Sequence, residues 1–352
     1  LGPFGHVFGI TMIYAPPYYW LMQLPGGGSL RVPARFGLLF VLCLTQAAAI
    51  GYSRLTPGGL RRGLLAGLAL LILLDGWVIR MPTGRLPTDI DLSSVDPRSI
   101  VVELPVVDEY SSTAAMLRQI RHRHPIANGY SGYTLPHQSV FEAGLRELDE
   151  TTLEALQRFG PLAVVVSSES ADTAPSKALL DQFRGARQTA RLPTAAIYQL
   201  PERTDSIERS QDRPLPIQAI VMSGPKVDPA VLLDGNPMTL WETENGQTSG
   251  DQILITLAGS AAINRVELDL GPFPGAYPRR LRISVGSAGS FAPVWEGKTA
   301  GLALLGALES GRTVPIRIDL PAGTTGQQIL LSLVDEHPKV SWSISDVRVM
   351  GR

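Results

Sequence analysis

Two apolar runs separated by a short basic loop constrain this chain more than any other feature. Phe36 to Ser53 (FGLLFVLCLTQAAAIGYS) carries no charge and Gly63 to Ile79 (GLLAGLALLILLDGWVI) carries only Asp75, so each is about long enough to cross a hydrocarbon core as a helix. Their tandem arrangement across Tyr52 to Arg62, with a Pro57-Gly58-Gly59 turn, predicts a membrane hairpin rather than two buried core helices. Asp75 lies near the end of its run, where a carboxylate reaches the headgroups. Ahead of the hairpin, Pro16-Pro17 interrupts an aromatic stretch. Because two prolines remove backbone donors and disfavour helix before them, residues 1–35 are expected to form an interfacial segment.

The sequence thus begins with a membrane region at 1–80, with spans at about 36–53 and 63–79. A formal net charge of -1 over 352 residues does not recommend nucleic acid as a partner. The single cysteine, Cys43, excludes an internal disulfide and a multi-cysteine zinc site. The chain opens on Leu1 with no basic stretch ahead of an apolar one, so no signal peptide is expected in it and it is expected to be a fragment of a longer protein. Arg54, Arg61 and Arg62 on one side of the hairpin, against Arg31, Arg35, Arg80 and Arg85 on the other, leave its orientation open.

Past the hairpin the pattern changes twice. Over 81–201, strands at Ser99 to Val107, Leu162 to Ser167 and Thr194 to Leu200 alternate with helices at Ser111 to His122, Thr151 to Phe159 and Ser176 to Phe183. The second helix opens on a capping-box pattern, Thr151 with Glu154. This alternation predicts a small α/β layer domain. Residues 202–216 are polar and bounded by prolines, which predicts a linker. Over 217–352, short β-rich runs at Gln252 to Leu257, Ala262 to Leu270, Arg280 to Val285, Val314 to Leu320, Gln328 to Val334 and Ser343 to Val349 predict an all-β, jelly-roll-like sandwich. The expected fold class is therefore mixed: transmembrane helices, then an α/β domain, then a sandwich.

Few residues declare chemistry. Gly129-Tyr130-Ser131-Gly132-Tyr133 misses the G-x-S-x-G nucleophile elbow by one place. Asn128, Tyr130 and Tyr133 instead form a turn-rich loop whose tyrosines either pack on the domain or present flat faces to a sugar. His122 and His124 stand two apart, on different sides of a helix, and are expected to be solvated at its end rather than to bind metal. Asp108 and Glu109 suit helix capping better than acid/base work. Arg31 and Arg35, beside an interfacial aromatic cluster, suit either a lipid phosphate or generic headgroup snorkelling. Trp241, Trp295 and Trp342 are expected in the core of the sandwich.

Pro17 to Phe36 (PYYWLMQLPGGGSLRVPARF), Val101 to Pro105 (VVELP), Pro125 to Tyr133 (PIANGYSGY), Pro161 to Ser167 (PLAVVVS) and Tyr198 to Pro201 (YQLP) come in an order that resembles the C-terminal part of a bacterial membrane-embedded glycosyltransferase of the C-type superfamily. Leu233-Asp234-Gly235-Asn236-Pro237 with Leu240-Trp241, Ile263 to Leu270 (INRVELDL) and Trp342 to Val349 (WSISDVRV) resemble a discoidin-like, galactose-binding-type domain. The first resemblance implies the bacterial inner (cytoplasmic) membrane, with the α/β domain and the sandwich outside the cytoplasm, and a parent enzyme that moves a sugar from a polyprenyl-phosphate donor to an extracytoplasmic acceptor. Arg31 and Arg35 would then meet the donor phosphate, and Asn128, Tyr130 and Tyr133 the acceptor. It brings no catalytic or metal-binding residue to this chain: the divalent metal and the acids that hold it belong to an upstream loop, so no cofactor is expected here. The alternative is a non-catalytic, membrane-anchored protein of the cell envelope whose sandwich binds a glycan.

Overall fold

A computed structural model describes residues 34–56, 58–75, 86–168, 173–204, 212–224, 227–271, 273–287 and 289–352, together with two short strands at 6–7 and 10–11. The chain forms two compact units, Leu1–Gly84 and Arg85–Arg352. In the first, strands β1 (His6–Val7) and β2 (Ile10–Thr11) pair antiparallel, and the two apolar runs become helices α1 (Ala34–Ser53) and α2 (Gly59–Asp75). Arg61 closes the turn between them by stacking its guanidinium 4.5 Å over the Tyr52 ring. Among the described residues no helix is long and apolar enough to cross a membrane, where two spans were expected. The described part of α2 has 17 residues, about 25 Å of rise against the roughly 30 Å of a hydrocarbon core. Thr45, Gln46, Tyr52 and Ser53 bring polar groups into the second half of α1.

The second unit begins with an α/β layer. Strand β3 (Ile100–Leu104) is followed by α3 (Glu109–His122), α4 (Pro136–Arg146), α5 (Glu150–Leu156), β4 (Leu162–Ser167), α6 (Ala174–Gln182), β5 (Arg187–Arg191) and β6 (Ala195–Leu200). The sheet order is β3-β4-β6-β5, with β3 and β4 parallel and the rest antiparallel. Period-two alternation sends Val102, Leu104, Val164 and Val166 to the larger core and Val101, Ala163 and Val165 to a smaller one closed by Ile90, Leu92 and Val95. Asp108 caps α3 in a capping box with Ser111. Helix α5 starts earlier than expected because Asp149, not Thr151, is its cap: one Asp149 oxygen accepts from both the backbone N–H and the hydroxyl of Thr151, at 2.9 and 2.7 Å.

The sandwich is built around one long strand, β10 (Gln252–Asp269), which serves both sheets. Its first half pairs with β8 (Ile217–Met222) and β14 (Thr325–Leu333), and its second half with β13 (Pro315–Asp319) and β16 (Asp346–Gly351). The register shifts between Thr256 and Ala261, where the strand leaves one sheet for the other. Strands β11 (Arg280–Ser287) and β12 (Ser290–Lys298) extend the first sheet, and β7 (Arg213–Pro214) edges the second. A short pair, β9 (Trp241–Glu242) with β15 (Ser343–Ile344), sets Trp241 and Trp342 edge-to-face at 5.2 Å, both fully buried. Trp295 packs partly buried against the same core.

Between β12 and β13 runs α7 (Ala300–Ser310), whose AGLALLGALES sequence is apolar on nearly every side. A helix of that kind needs cover on most of its surface, and it has it up to its last turn, where Leu308 is exposed: β13 lies on one side and α4 and α5 of the α/β layer on another. The buried apolar core therefore runs without a break from Val102 to Val349. Around its edge Arg279 pairs with Glu147 at 2.6 Å and Lys298 with Glu150 at 2.5 Å.

Candidate functional site

At one end of the sandwich two loops meet. In the first, Asp234 accepts from the Asn236 N–H at 2.8 Å and Asn236 accepts from the Met238 N–H at 3.1 Å, two consecutive side-chain turns that fix the backbone. Gly235 supplies the positive φ of 66° between them. The Thr239 hydroxyl lies 2.8 Å from an Asp234 oxygen and 2.9 Å from the Asn236 carbonyl. The rigid result holds Met238 out at 72 % exposure.

The second loop packs directly against the first. Gly271, at φ 65°, has no room for a side chain: a Cβ would lie 2.6 Å from the Pro237 carbonyl and 3.0 Å from Ser345 Cβ. Two residues on, Phe273 stands 48 % exposed. The Phe273 carbonyl accepts from the Ala276 N–H at 3.0 Å and the Gly275 carbonyl from Arg279 Nη1 at 3.0 Å; buried Gln247 in turn donates to the Tyr277 carbonyl at 2.8 Å and accepts from the Arg279 N–H at 2.9 Å, while the Arg279 guanidinium stacks 3.9 Å over the Tyr277 ring. Burial pushes the Tyr277 phenol well above its ordinary value, so it stays neutral. The end of the sandwich thus carries an exposed aromatic ring on one loop, and an exposed thioether with a fixed carboxylate and amide on the other. That combination suits the apolar face and hydroxyls of a sugar; it holds no nucleophile with a base and an orienting group. Among the described residues no cluster of three or more His, Cys, Asp or Glu could hold a metal.

The residues singled out from the sequence fall elsewhere. Arg31 and the side chain of Arg35 lie outside the described residues. Asn128 is buried beside β3 and continues its edge ladder: its Oδ1 accepts from the Glu103 N–H at 2.6 Å and its Nδ2 donates to the Glu103 carbonyl at 2.9 Å. Tyr130 and Tyr133 are exposed at 43 % and 73 %, and a hydrogen bond to Glu109 raises the Tyr130 phenol above its ordinary value. Phe273 and Met238 were not anticipated, although an aromatic set among the turn residues of Gly271 to Gly275 was a signal that could have found them.

His122 and His124 are not the solvated pair expected. His122 is half-buried, His124 is buried, and their rings lie 5.5 Å apart. Burial lowers the His122 pKa, with His124 and Arg118 acting in the same direction. Its folded value lies below its unfolded one, so its contribution to stability is present above about pH 6.5 and lost as pH falls through the folded value. His122→Gln should therefore flatten the stability profile between about pH 7 and 5, measured as urea midpoints; an unchanged slope would assign the acid sensitivity elsewhere.

No protein-family model and no curated protein matches the chain. Among solved structures, its C-terminal two-fifths resembles discoidin-like family 32 carbohydrate-binding modules. One, from AlyQ in complex with 4,5-unsaturated mannuronic acid, shares 23 % identity over 39 % of this chain and 97 % of its own, with a TM-score of 0.31. The module of Clostridium perfringens NanJ, in complex with galactose, shares 13 % over 40 % and 98 %, with a TM-score of 0.32. Chitosan-binding module 1 from a Paenibacillus sp. IK-5 chitosanase/glucanase shares 18 % over 38 % and 94 %, with a TM-score of 0.30.

Proposed function

We propose that the sandwich is a non-catalytic glycan-binding module and that its ligand sits on the loop end formed by Asp234 to Thr239 and Gly271 to Gly275. The observation that carries this reading is Phe273, an aromatic side chain held 48 % exposed on a loop fixed by the close packing of Gly271 on Pro237 and by the hydrogen bond from Arg279 to the Gly275 carbonyl. Leaving it in water has a hydrophobic cost, which stacking on the apolar face of a sugar ring would recover. Asp234 and Asn236, on the loop that packs against Gly271, are the hydrogen-bonding partners for ring hydroxyls. Galactose, mannuronate and chitosan oligomers are the first probes. Phe273→Ala should weaken binding at least tenfold with the fold intact, read by calorimetric titration of the whole chain. Unchanged affinity would remove the loop end as the site.

Attachment of this module to a membrane surface through α1 and α2 is a second reading, favoured by their side chains. Leu39, Phe40, Val41 and Leu42 in α1, and Leu70 to Leu74 in α2, are all at least half exposed and point around the whole helix rather than to one side. Flotation with phosphatidylglycerol vesicles tests it, and a chain that stays at the bottom of the gradient overturns it. On this reading the glycan would belong to a bacterial cell envelope and the module would face away from the cytoplasm. The polyprenyl-phosphate sugar transferase places no catalytic group in this chain and rests on the sequence resemblance alone.

A further inference from the structure

A second site lies in the α/β layer. Where β3 ends, the chain turns through Pro105 to Asp108 into α3, and a cleft of about 200 Å³ opens there against the last residue of β4, Ser167. This is the carboxyl edge of the parallel strand pair. Glu103 and Arg118 line the cleft, both about 95 % buried: the Arg118 Nε–H group lies 3.0 Å from each Glu103 oxygen and an Nη2 group also reaches the carboxylate. An ion pair this deep contributes little that a well-packed apolar pair would not, so its place in the wall of a cleft calls for another explanation.

From this geometry we infer that the cleft binds a neutral polyhydroxylic ligand the size of one sugar ring. The volume is below the roughly 300–1,000 Å³ of pockets for drug-sized ligands, which limits the occupant to one small ring. Glu103 and Arg118 neutralise each other, so the wall they form carries no net charge. Asp108 adds a carboxylate: one of its oxygens accepts from the Ser111 N–H at 3.0 Å in the α3 cap, and its charge turns anions away. Leu104, Val107 and Ala114 supply the apolar wall, and Tyr110, more than half exposed, gives the lining an aromatic ring. A diol can donate to Asp108 while its ring rests on that wall. The site is separate from the sandwich loops and does not depend on their reading.

Val107 is 58 % exposed, so a larger side chain there can fill the cleft without disturbing the core. The test is hydrogen exchange of the whole chain with and without 50 mM galactose, glucose or mannose, repeated for Val107→Trp and Phe273→Ala. The expected result is protection at residues 104–111 that Val107→Trp abolishes and Phe273→Ala leaves in place. Protection confined to 234–239 and 271–275 would overturn the cleft while sparing the loop end. Protection at 104–111 by methylammonium or inorganic phosphate in preference to every sugar would overturn the ligand class.

Discussion

Arg118→Met should destabilise the Arg85–Arg352 unit by about 3–5 kcal/mol, the usual cost of stranding one partner of a buried ion pair. The partner left behind is Glu103, whose side chain is 6 % exposed and whose oxygens face Arg118 at 3.0 Å. Without the guanidinium the carboxylate must either stay charged and unpaired or take up a proton. A second loss adds to this, because Arg118 Nη1 also reaches the Thr88 carbonyl at 3.5 Å. The double variant Arg118→Met, Glu103→Leu removes both charges and should recover most of the loss, since apolar residues of similar volume often replace such pairs at no net cost. A urea-denaturation cycle of the two single variants and the double one reads the coupling directly. Single variants within about 1 kcal/mol of the parent would mean that water reaches the pair and that the floor of the cleft is wet.

How much of this could be read from the sequence depended on whether the deciding partner was local. Strand β4 was legible with its bounds intact because LAVVVS is buried on both faces, and a continuous apolar run between turn signals says so. Helix α3 was legible through Asp108, but not through the apolar face expected from Ala115, Met116 and Ile120: Ala115 is buried, Met116 and Ile120 are exposed, and the helix packs through Ser112, Ala114, Ala115 and Arg118. Strand β10 was read as two strands because Gly259 and Ser260 interrupt the alternation, whereas the backbone carries on through a bulge and changes sheets. Helices α4 and α7 were not seen. The first follows a glycine- and tyrosine-rich loop, and the second is short and apolar all round, a pattern that period alone cannot separate from a buried strand. The site residues failed for the same reason. Asn128 looked like a ligand group because its sequence neighbours are turn residues, but the edge of β3 needed a hydrogen-bonding partner and the amide supplied it. Phe273 became a candidate only when its exposure and the support that Arg279 gives its loop at Gly275 were visible.

The same dependence on distant partners makes Gly301 the most consequential glycine of the junction. Its Cα faces the backbone of Thr151, and a Cβ there would sit 2.3 Å from the Thr151 carbonyl oxygen and 2.8 Å from its carbon. Neither atom belongs to a flexible side chain, so Gly301→Ala can be accommodated only by moving α7 away from α5. That movement strains the hydrogen bond from the Gly301 N–H to the Thr151 hydroxyl at 2.9 Å and draws Lys298, three residues upstream, away from Glu150. Overpacking of this kind costs about 1–3 kcal/mol, and Gly301→Val should cost more because its two further methyl groups enter the same gap. The larger consequence is in cooperativity. With α7 seated, the core is continuous and the Arg85–Arg352 unit should unfold in one transition; with α7 displaced, the α/β layer and the sandwich lose their shared helix and should separate into two. Calorimetry of the parent and of Gly301→Val distinguishes these outcomes, with the calorimetric-to-van't Hoff enthalpy ratio rising above one in the variant. A variant that melts lower but still in a single transition would mean that Arg279 and Glu147 hold the two layers together without the helix.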